Sequence, residues 1–261
     1  MTQIQKILII DDDRNIQKTL ADILKSRDFA FFQAYNANQA QEIIHHEDIS
    51  LIITDLKLPE ISGLEFINQT KKEYPDTEFI ILTGYASQDT AIRAINYGAF
   101  AYFEKPYNVN QLLLSIQQAL EKIQAKTQLS ESQIKYKNLF DNATVAMFRT
   151  TTDGSRFLEF NQTFCDLFGY TRDELIQCKP VSLWVKAASS RQFIREIFEK
   201  EVGETIKIDI RTKSKQVLHC LATIKIYQKD DFLEGSLVDI TNQTQLENTL
   251  RESEKRFLPD P

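Results

Sequence analysis

The stretch "KILIIDDDRN" at residues 6–15 runs four consecutive apolar residues, Ile7 to Ile10, straight into three aspartates, Asp11 to Asp13. An unbroken apolar run of this length reads as a strand covered on both faces, because a strand with one wet face alternates instead. Further candidate strands follow at Ala30–Ala34, Ser50–Thr54, Glu78–Leu82 and Ala101–Phe103. Helical stripes lie between and after them: Ile16, Leu20, Ile23 and Leu24; Ile43 and Ile44; Leu64 and Ile67; Ala91, Ile92 and Ile95; Leu112, Ile116, Ala119, Leu120 and Ile123. Five βα units in series predict an α/β domain over residues 1–124, a doubly wound five-stranded parallel sheet with helices on both faces.

Residues 125–135 are polar and helix-prone, with no Gly or Pro, and read as a helical linker. The texture then changes. Short strand-like runs at Val145–Arg149, Phe157–Phe160, Thr205–Arg211, Val217–Tyr227 and Leu233–Asp239 surround a helical middle, which predicts a small α+β domain with an antiparallel sheet over 136–245. In the last segment, 246–261, Leu246, Leu250, Ser253 and Phe257 follow a 4-3-4 spacing, a short heptad-like seam. "LSESQIKY" at 129–136 and "LRESEKRF" at 250–257 share a pattern, a charged helix ending in an aromatic. The first leads into a domain, so the second raises the expectation of a further module beyond it.

A length of 261 residues suits two domains. The net charge of −6 gives no whole-chain signal for a nucleic-acid partner. Cys165, Cys178 and Cys220 are too few and too scattered for a disulfide framework or a zinc site, and read as reduced thiols. No apolar run approaches the roughly 18 residues of a membrane span, and the N-terminal apolar stretch ends in acid, unlike a signal peptide. A soluble cytoplasmic protein is the expectation.

In a doubly wound sheet, ligands bind at the carboxyl ends of the strands. The polar residues at those ends are Asp11, Asp12 and Asp13, then Asp55, Thr83 and Lys105. Two carboxylates about 4 Å apart repel by roughly 4 kcal/mol at an effective dielectric of about 20. A cluster of them either raises its pKa values or recruits a cation. A hard divalent ion with oxygen ligands fits, Mg²⁺ above all because it keeps several waters. A hydroxyl and an ammonium opposite such an ion would hold phosphoryl oxygens.

The motifs "ILIIDDD", "LIITDLKLPEISGLEFI", "IILTGYAS" and "GAFAYFEKPY", in this order, resemble the receiver domains of two-component response regulators over residues 4 to about 124. The resemblance implies a flavodoxin-like fold with Asp55 as phosphoacceptor. It implies that Asp11 and Asp12 help to hold Mg²⁺ together with Asp55 and the backbone carbonyl of Lys57. Thr83 would be the switch hydroxyl, Tyr102 the switch aromatic and Lys105 the phosphoryl-binding cation, followed by a cis Lys105–Pro106 peptide. The partner would be a histidine kinase or a histidine phosphotransfer protein. Asp13 falls outside the acidic pair and favours the start of the first helix. The family member is a phosphoacceptor with self-catalysed phosphotransfer and dephosphorylation rather than a stand-alone enzyme.

Asp11-x-Asp13 after an apolar strand also resembles the haloacid-dehalogenase-type phosphatases, with Asp11 as nucleophile and Asp13 as acid/base. Against this, Asn15 stands where that family carries Thr or Val, no later acidic pair follows Lys105, and Asp55 is left without a role. A third reading is an interaction scaffold in which the second domain alone acts.

"YKNLFDNATVAMFRTTTDGSRFLEFNQTFCDLFGYTRDELI" at 136–176 and "GSLVDITNQTQLE" at 235–247 resemble the opening and close of a PAS domain. That resemblance implies a sensor, a dimerisation unit, or both, and with the linker helix a homodimer. Cys165 lies in "NQTFCDLFGY", unlike the reactive stretch of flavin photoreceptors, and His219 reads as a strand side chain. Phe148, Phe157, Phe160, Phe164, Phe168, Trp184 and Phe193 read as core, so the sequence assigns no ligand here. No phosphoacceptor-His helix, Gly-rich ATP lid or DNA-reading helix is evident, and His45 and His46 fall on a surface helix. The output is expected to be a protein contact or a module beyond residue 261.

Overall fold

The computed structural model describes residues 4–185 and 205–257, the last four of these by backbone alone. The chain divides into two compact units, Met1–Glu131 and Ser132–Pro261.

In the first unit five strands, β1 (Lys6–Ile10), β2 (Ala30–Ala34), β3 (Ile49–Thr54), β4 (Glu78–Thr83) and β5 (Ala101–Glu104), form a parallel sheet in the order β2-β1-β3-β4-β5. Helices α1 (Arg14–Lys25), α2 (Ala37–His46), α3 (Gly63–Glu73), α4 (Gln88–Asn96) and α5 (Val109–Asp141) complete the βα units. Ile7 to Ile10 are all fully buried, as an unbroken apolar run requires. Alternate residues serve opposite faces. Leu8, Ile10 and Ile52 pack with Ala40 and Ile44 of α2 and with Phe66 and Ile67 of α3. Ile7, Ile9 and Ile53 pack with Leu20 and Leu24 of α1 and with Leu112 and Ile116 of α5.

Two expectations need correction or extension. The stripe Ala91, Ile92 and Ile95 is not the packed face of α4. Ala94 is fully buried, whereas Ile92 and Ile95 are 51% and 67% exposed. Only a methyl fits between this helix and the sheet, so the larger side chains face out. The expected linker at 125–135 is the middle of one 33-residue helix, α5. Its first turns are held by Leu112, Ile116, Ala119 and Leu120. The residues that follow contain no Gly or Pro to stop it.

The second unit holds an antiparallel sheet in the order β7-β6-β10-β9-β8, from β6 (Ala146–Thr151), β7 (Phe157–Phe160), β8 (Thr205–Arg211), β9 (Val217–Tyr227) and β10 (Phe232–Asp239). Helices α6 (Gln162–Phe168), α7 (Arg172–Gln177) and α8 (Thr241–Phe257) belong to it. Here burial alternates, with Leu218, Cys220, Ala222 and Ile224 of β9 turned to the core, as one covered face demands. The expected core aromatics Phe148, Phe160, Phe164 and Phe168 are buried, and Phe157 and Trp184 pack against them. Phe193 lies outside the described residues. Among the described residues, an apolar cavity of about 50 Å³ lies beside Phe148, Phe164, Phe168 and Trp184. Leu246 and Leu250 of the heptad-like seam are exposed, and the side chain of Phe257 lies outside the described set. No described helix is long and apolar enough to cross a membrane.

Asn161, fully buried, organises the entry to this unit. Its Oδ1 accepts from the N–H groups of Met147 and Phe164, and its Nδ2 donates to the carbonyls of Phe140 and Val145. One amide thus caps α6 and ties it to the end of α5 and to β6. Asn161→Ala would strip partners from four backbone groups, one buried and three partly buried. The expected cost is about 3 kcal/mol, read as a lowered urea midpoint, since each orphaned group costs roughly 1–3 kcal/mol before relaxation.

Candidate functional site

The site lies at the carboxyl ends of β1, β3, β4 and β5, which are neighbours in the sheet. Backbone bonds prolong the ladder beyond the strands: Asp55 N–H donates to the Ile10 carbonyl at 3.2 Å, and Lys105 N–H to the Thr83 carbonyl at 2.8 Å. These bonds place Asp11, Asp55, Thr83 and Lys105 at the same edge of the sheet.

At its centre the Lys105 ammonium lies 2.7 Å from Asp11 Oδ2 and 2.7 Å from Asp55 Oδ2. The other oxygens are also held. Asp13 N–H donates to Asp11 Oδ1 at 2.9 Å, and Lys57 N–H to Asp55 Oδ1 at 3.1 Å. The Lys105–Pro106 peptide is cis, as expected. Thr83 is fully buried, and its Oγ1 accepts from the Tyr85 N–H. The Tyr102 hydroxyl lies 3.1 Å from Thr90 Oγ1. Thr90 shares a capping box with Ser87 at the start of α4, so Tyr102 is tied to that helix. The Lys57 ammonium lies 3.2 Å from the centroid of the Tyr85 ring.

Of the three carboxylates expected to converge, the structure brings two together. Asp11 is 3% exposed, while Asp12, the next residue along the chain, is exposed. Among the described residues no group of three acidic, His or Cys side chains is placed to hold a metal ion by itself. Asp13 caps α1, its Oδ1 accepting from Asn15 N–H at 2.7 Å and from Ile16 N–H at 3.5 Å. The acid/base role of the phosphatase reading therefore falls on a residue already engaged as a helix cap.

Burial pushes the Asp11 carboxyl above its ordinary value, against the lowering effect of Lys105 and the Asp13 N–H. Burial alone would lower Lys105, but its bonds to Asp11 and Asp55 outweigh that and hold it above the ordinary lysine value. Two acids facing one ammonium leave an uncompensated negative charge. With their hard oxygen donors, that charge fits a divalent cation such as Mg²⁺. Because the folded state binds the Asp11 proton more tightly, the stability due to this group is fully present below about 3.8 and is lost as pH rises through the folded-state value. Removing that charge at neutral pH should stabilise the metal-free protein. Asp11→Asn is expected to raise its thermal midpoint by about 2–4 °C, measured by calorimetry in a chelator at pH 7.5. An unchanged or lowered midpoint would contradict the burial argument.

Three contributors were not singled out in the sequence. Gly63 opens α3 with its N–H on the Leu56 carbonyl at 2.7 Å, and a Cβ there would lie 2.2 Å from the Asp55 carbonyl oxygen. A Gly after the cap Ser62 was the available signal. Thr90 gave none beyond its place in a capping box with Ser87. Gln17, 1% exposed, sits among the apolar positions of α1, where a polar residue interrupting the stripe was the visible sign. The expected surface position of His45 and His46 is observed; His45 Nδ1 lies 2.8 Å from the Tyr74 hydroxyl. His219 is a strand side chain with Nδ1 2.7 Å from Asp209 Oδ1. Cys165, Cys178 and Cys220 are free thiols, and burial pushes Cys220 up to about 12.

Residues 7–117 match the family described as response regulator receiver domain, and residues 144–242 the family described as PAS domain. An NtrX-like response regulator of Rickettsia bellii is 34% identical over 146 residues, covering 54% of this chain and 30% of that protein. The response regulator protein PilR of Pseudomonas aeruginosa is 35% identical over 108 residues, covering 41% of this chain and 24% of PilR. The matched part is thus less than a third of either relative's length. Among solved structures, a CheY-like response regulator receiver domain protein from Methanospirillum hungatei is 32% identical. It aligns with 48% of this chain and 99% of its own, with a TM-score of 0.46.

Proposed function

We propose that this chain, whose residues 7–117 match the response regulator receiver domain and whose residues 144–242 match the PAS domain, is a phosphorelay switch in which Asp55 accepts a phosphoryl group. The donor is a phosphohistidine of a histidine kinase or of a histidine phosphotransfer protein in the cytoplasm. A carboxylate oxygen of Asp55 attacks phosphorus, the P–N bond to the donor imidazole breaks, and the electron pair leaves with the imidazole. Water later hydrolyses the acyl phosphate and restores the carboxylate.

The observation that carries this reading is the Lys105 ammonium shared between Asp11 and Asp55 at 2.7 Å each. A cation fixed against the nucleophile is already beside the charge that develops on the transferred phosphoryl oxygens, and it costs no reorganisation at that moment. Mg²⁺, when bound, neutralises phosphoryl charge; the side chains of Asp11, Asp12 and Asp55 and the carbonyl of Lys57 would hold it. Asp55 gains strong acceptor oxygens on phosphorylation. Thr83 donates to one of them, and the loop after β4 shifts. Tyr102 then exchanges its Thr90 partner for the space vacated. The face of α4, β5 and α5 changes as a result. It carries Ile92, Ile95 and Leu114, each more than half exposed, which suits pairing with a second copy.

Incubation with acetyl phosphate and Mg²⁺ followed by intact mass measurement tests the reading. One phosphoryl group per chain is expected. Multiple turnover of phosphate esters would favour a phosphatase, and no reaction would favour a scaffold.

A further inference from the structure

The apolar face of α1 is broken at one position. Gln17 lies on the same buried side as Leu20 and Leu24 and is 1% exposed. Burying a primary amide costs roughly 2–7 kcal/mol unless its groups are bonded, so its partners explain its presence. Nε2 donates to the Ala34 carbonyl at 2.6 Å and faces the carbonyls of Asp11 at 3.2 Å and Ile9 at 3.4 Å. Oε1 accepts from Gln33 Nε2 at 2.8 Å, which fixes the way the amide faces.

The Ala34 carbonyl also accepts the Asp11 N–H, at 3.3 Å. Both peptide groups of Asp11 are therefore held at one junction, its N–H by Ala34 and its C=O by Gln17. β1 and β2 end at Ile10 and Ala34, so the ladder has no further strand residue to receive the Asp11 carbonyl. Gln17 extends it by one residue, at the point where the acidic loop leaves the sheet. It does so with a neutral group, so replacing it changes the geometry of the loop and not the charge of the site.

We infer that Gln17 is a positioning residue that holds the backbone of Asp11 so that the Asp11 carboxylate faces the Asp55 site in the orientation that Mg²⁺ and the phosphoryl group require. The inference rests on the receiver reading for its consequence, but its structural half is measurable without any phosphoryl transfer.

The test uses the full chain with Gln17→Met, which keeps length and bulk without donors, and Gln33→Met, which releases the orientation of the amide and one bond to the Gln17 main-chain carbonyl while leaving the Gln17 donor in place. Amide hydrogen exchange is followed in metal-free protein at Asp13, whose N–H rests on Asp11 Oδ1, and at Ile81 in β4 as reference. Mg²⁺ affinity is measured by calorimetry, and phosphorylation rate by intact mass at saturating acetyl phosphate. Gln17→Met is expected to speed exchange at Asp13 but not at Ile81, to weaken Mg²⁺ binding by about tenfold and to slow phosphorylation by a similar factor, as for other residues that orient metal ligands. Gln33→Met should act in the same direction and less strongly. Equal acceleration at Asp13 and Ile81 would make Gln17 a residue of general stability and overturn the inference, as would a folded Gln17→Met with unchanged local exchange and Mg²⁺ affinity. If Gln17→Met does not fold, the same comparison on Gln33→Met decides. Should the unmodified chain take up no phosphate, the receiver reading fails, while exchange and Mg²⁺ affinity still judge Gln17.

Discussion

Asp55→Asn is expected to take up no phosphoryl group from acetyl phosphate under conditions that load the unmodified chain to one per molecule. The substitution keeps size and shape and removes the nucleophilic carboxylate oxygen. Asp11 is the nearest alternative acceptor, but its side chain is 4% exposed and one oxygen is held by Lys105. Its other oxygen takes the Asp13 N–H. Asp55 is held by the same kinds of bond but its side chain is 13% exposed, so it is the more accessible of the two to a donor from solution. Asp12 is exposed, and the described ion pairs of the Lys105 ammonium go to Asp11 and Asp55 instead, so Asp12 lacks the charge that stabilises transfer. The fold should survive, because Asp11 retains Lys105 and the site loses one of two like charges. Intact mass and a thermal scan together check this. A variant that gains phosphate at the original stoichiometry would refute Asp55 as the acceptor.

Gly63→Ala should cost about 3 kcal/mol of stability and slow phosphorylation by about a hundredfold or less. The cause is contact, not backbone conformation. The added Cβ would lie 2.2 Å from the Asp55 carbonyl oxygen and 3.0 Å from Leu56 Cα, and both are main-chain atoms that no rotamer change can move aside. Either α3 shifts outward or the acceptor loop is displaced. The first opens the packing of Leu64, Phe66 and Ile67 against the sheet. The second moves Asp55 relative to Lys105, and a displacement near 1 Å is enough to lower rates by about two orders of magnitude. Urea titration and the acetyl phosphate time course measure the two effects. A variant that matches the unmodified chain in both would show that the loop and helix yield freely.

The sequence by itself determined the strands and the chemistry at their ends. Ile7 to Ile10 read as a strand covered on both faces, and the bounds of β1, β7, β8 and β9 were legible to the residue because each is flanked by polar residues, while β2 was legible although it lies between Phe29 and Tyr35. Asp11, Asp55, Thr83 and Lys105 could be aligned in advance, since a parallel sheet sends every strand's carboxyl end to the same edge. Packing depth was not legible. The stripe of α4 has the right period, yet Ala94 is the residue of that helix that joins the core while Ile92 and Ile95 stay exposed. Contacts between distant segments were equally hidden. Gln17 meets Ala34, Tyr102 meets Thr90, and Gly63 meets Asp55 only because the tertiary structure stacks helices and loops over the strand ends. Local pattern reports what a segment's own residues prefer. The clearances between segments and the partners of buried polar groups follow from how all the elements close on one another, and only the folded chain decides those.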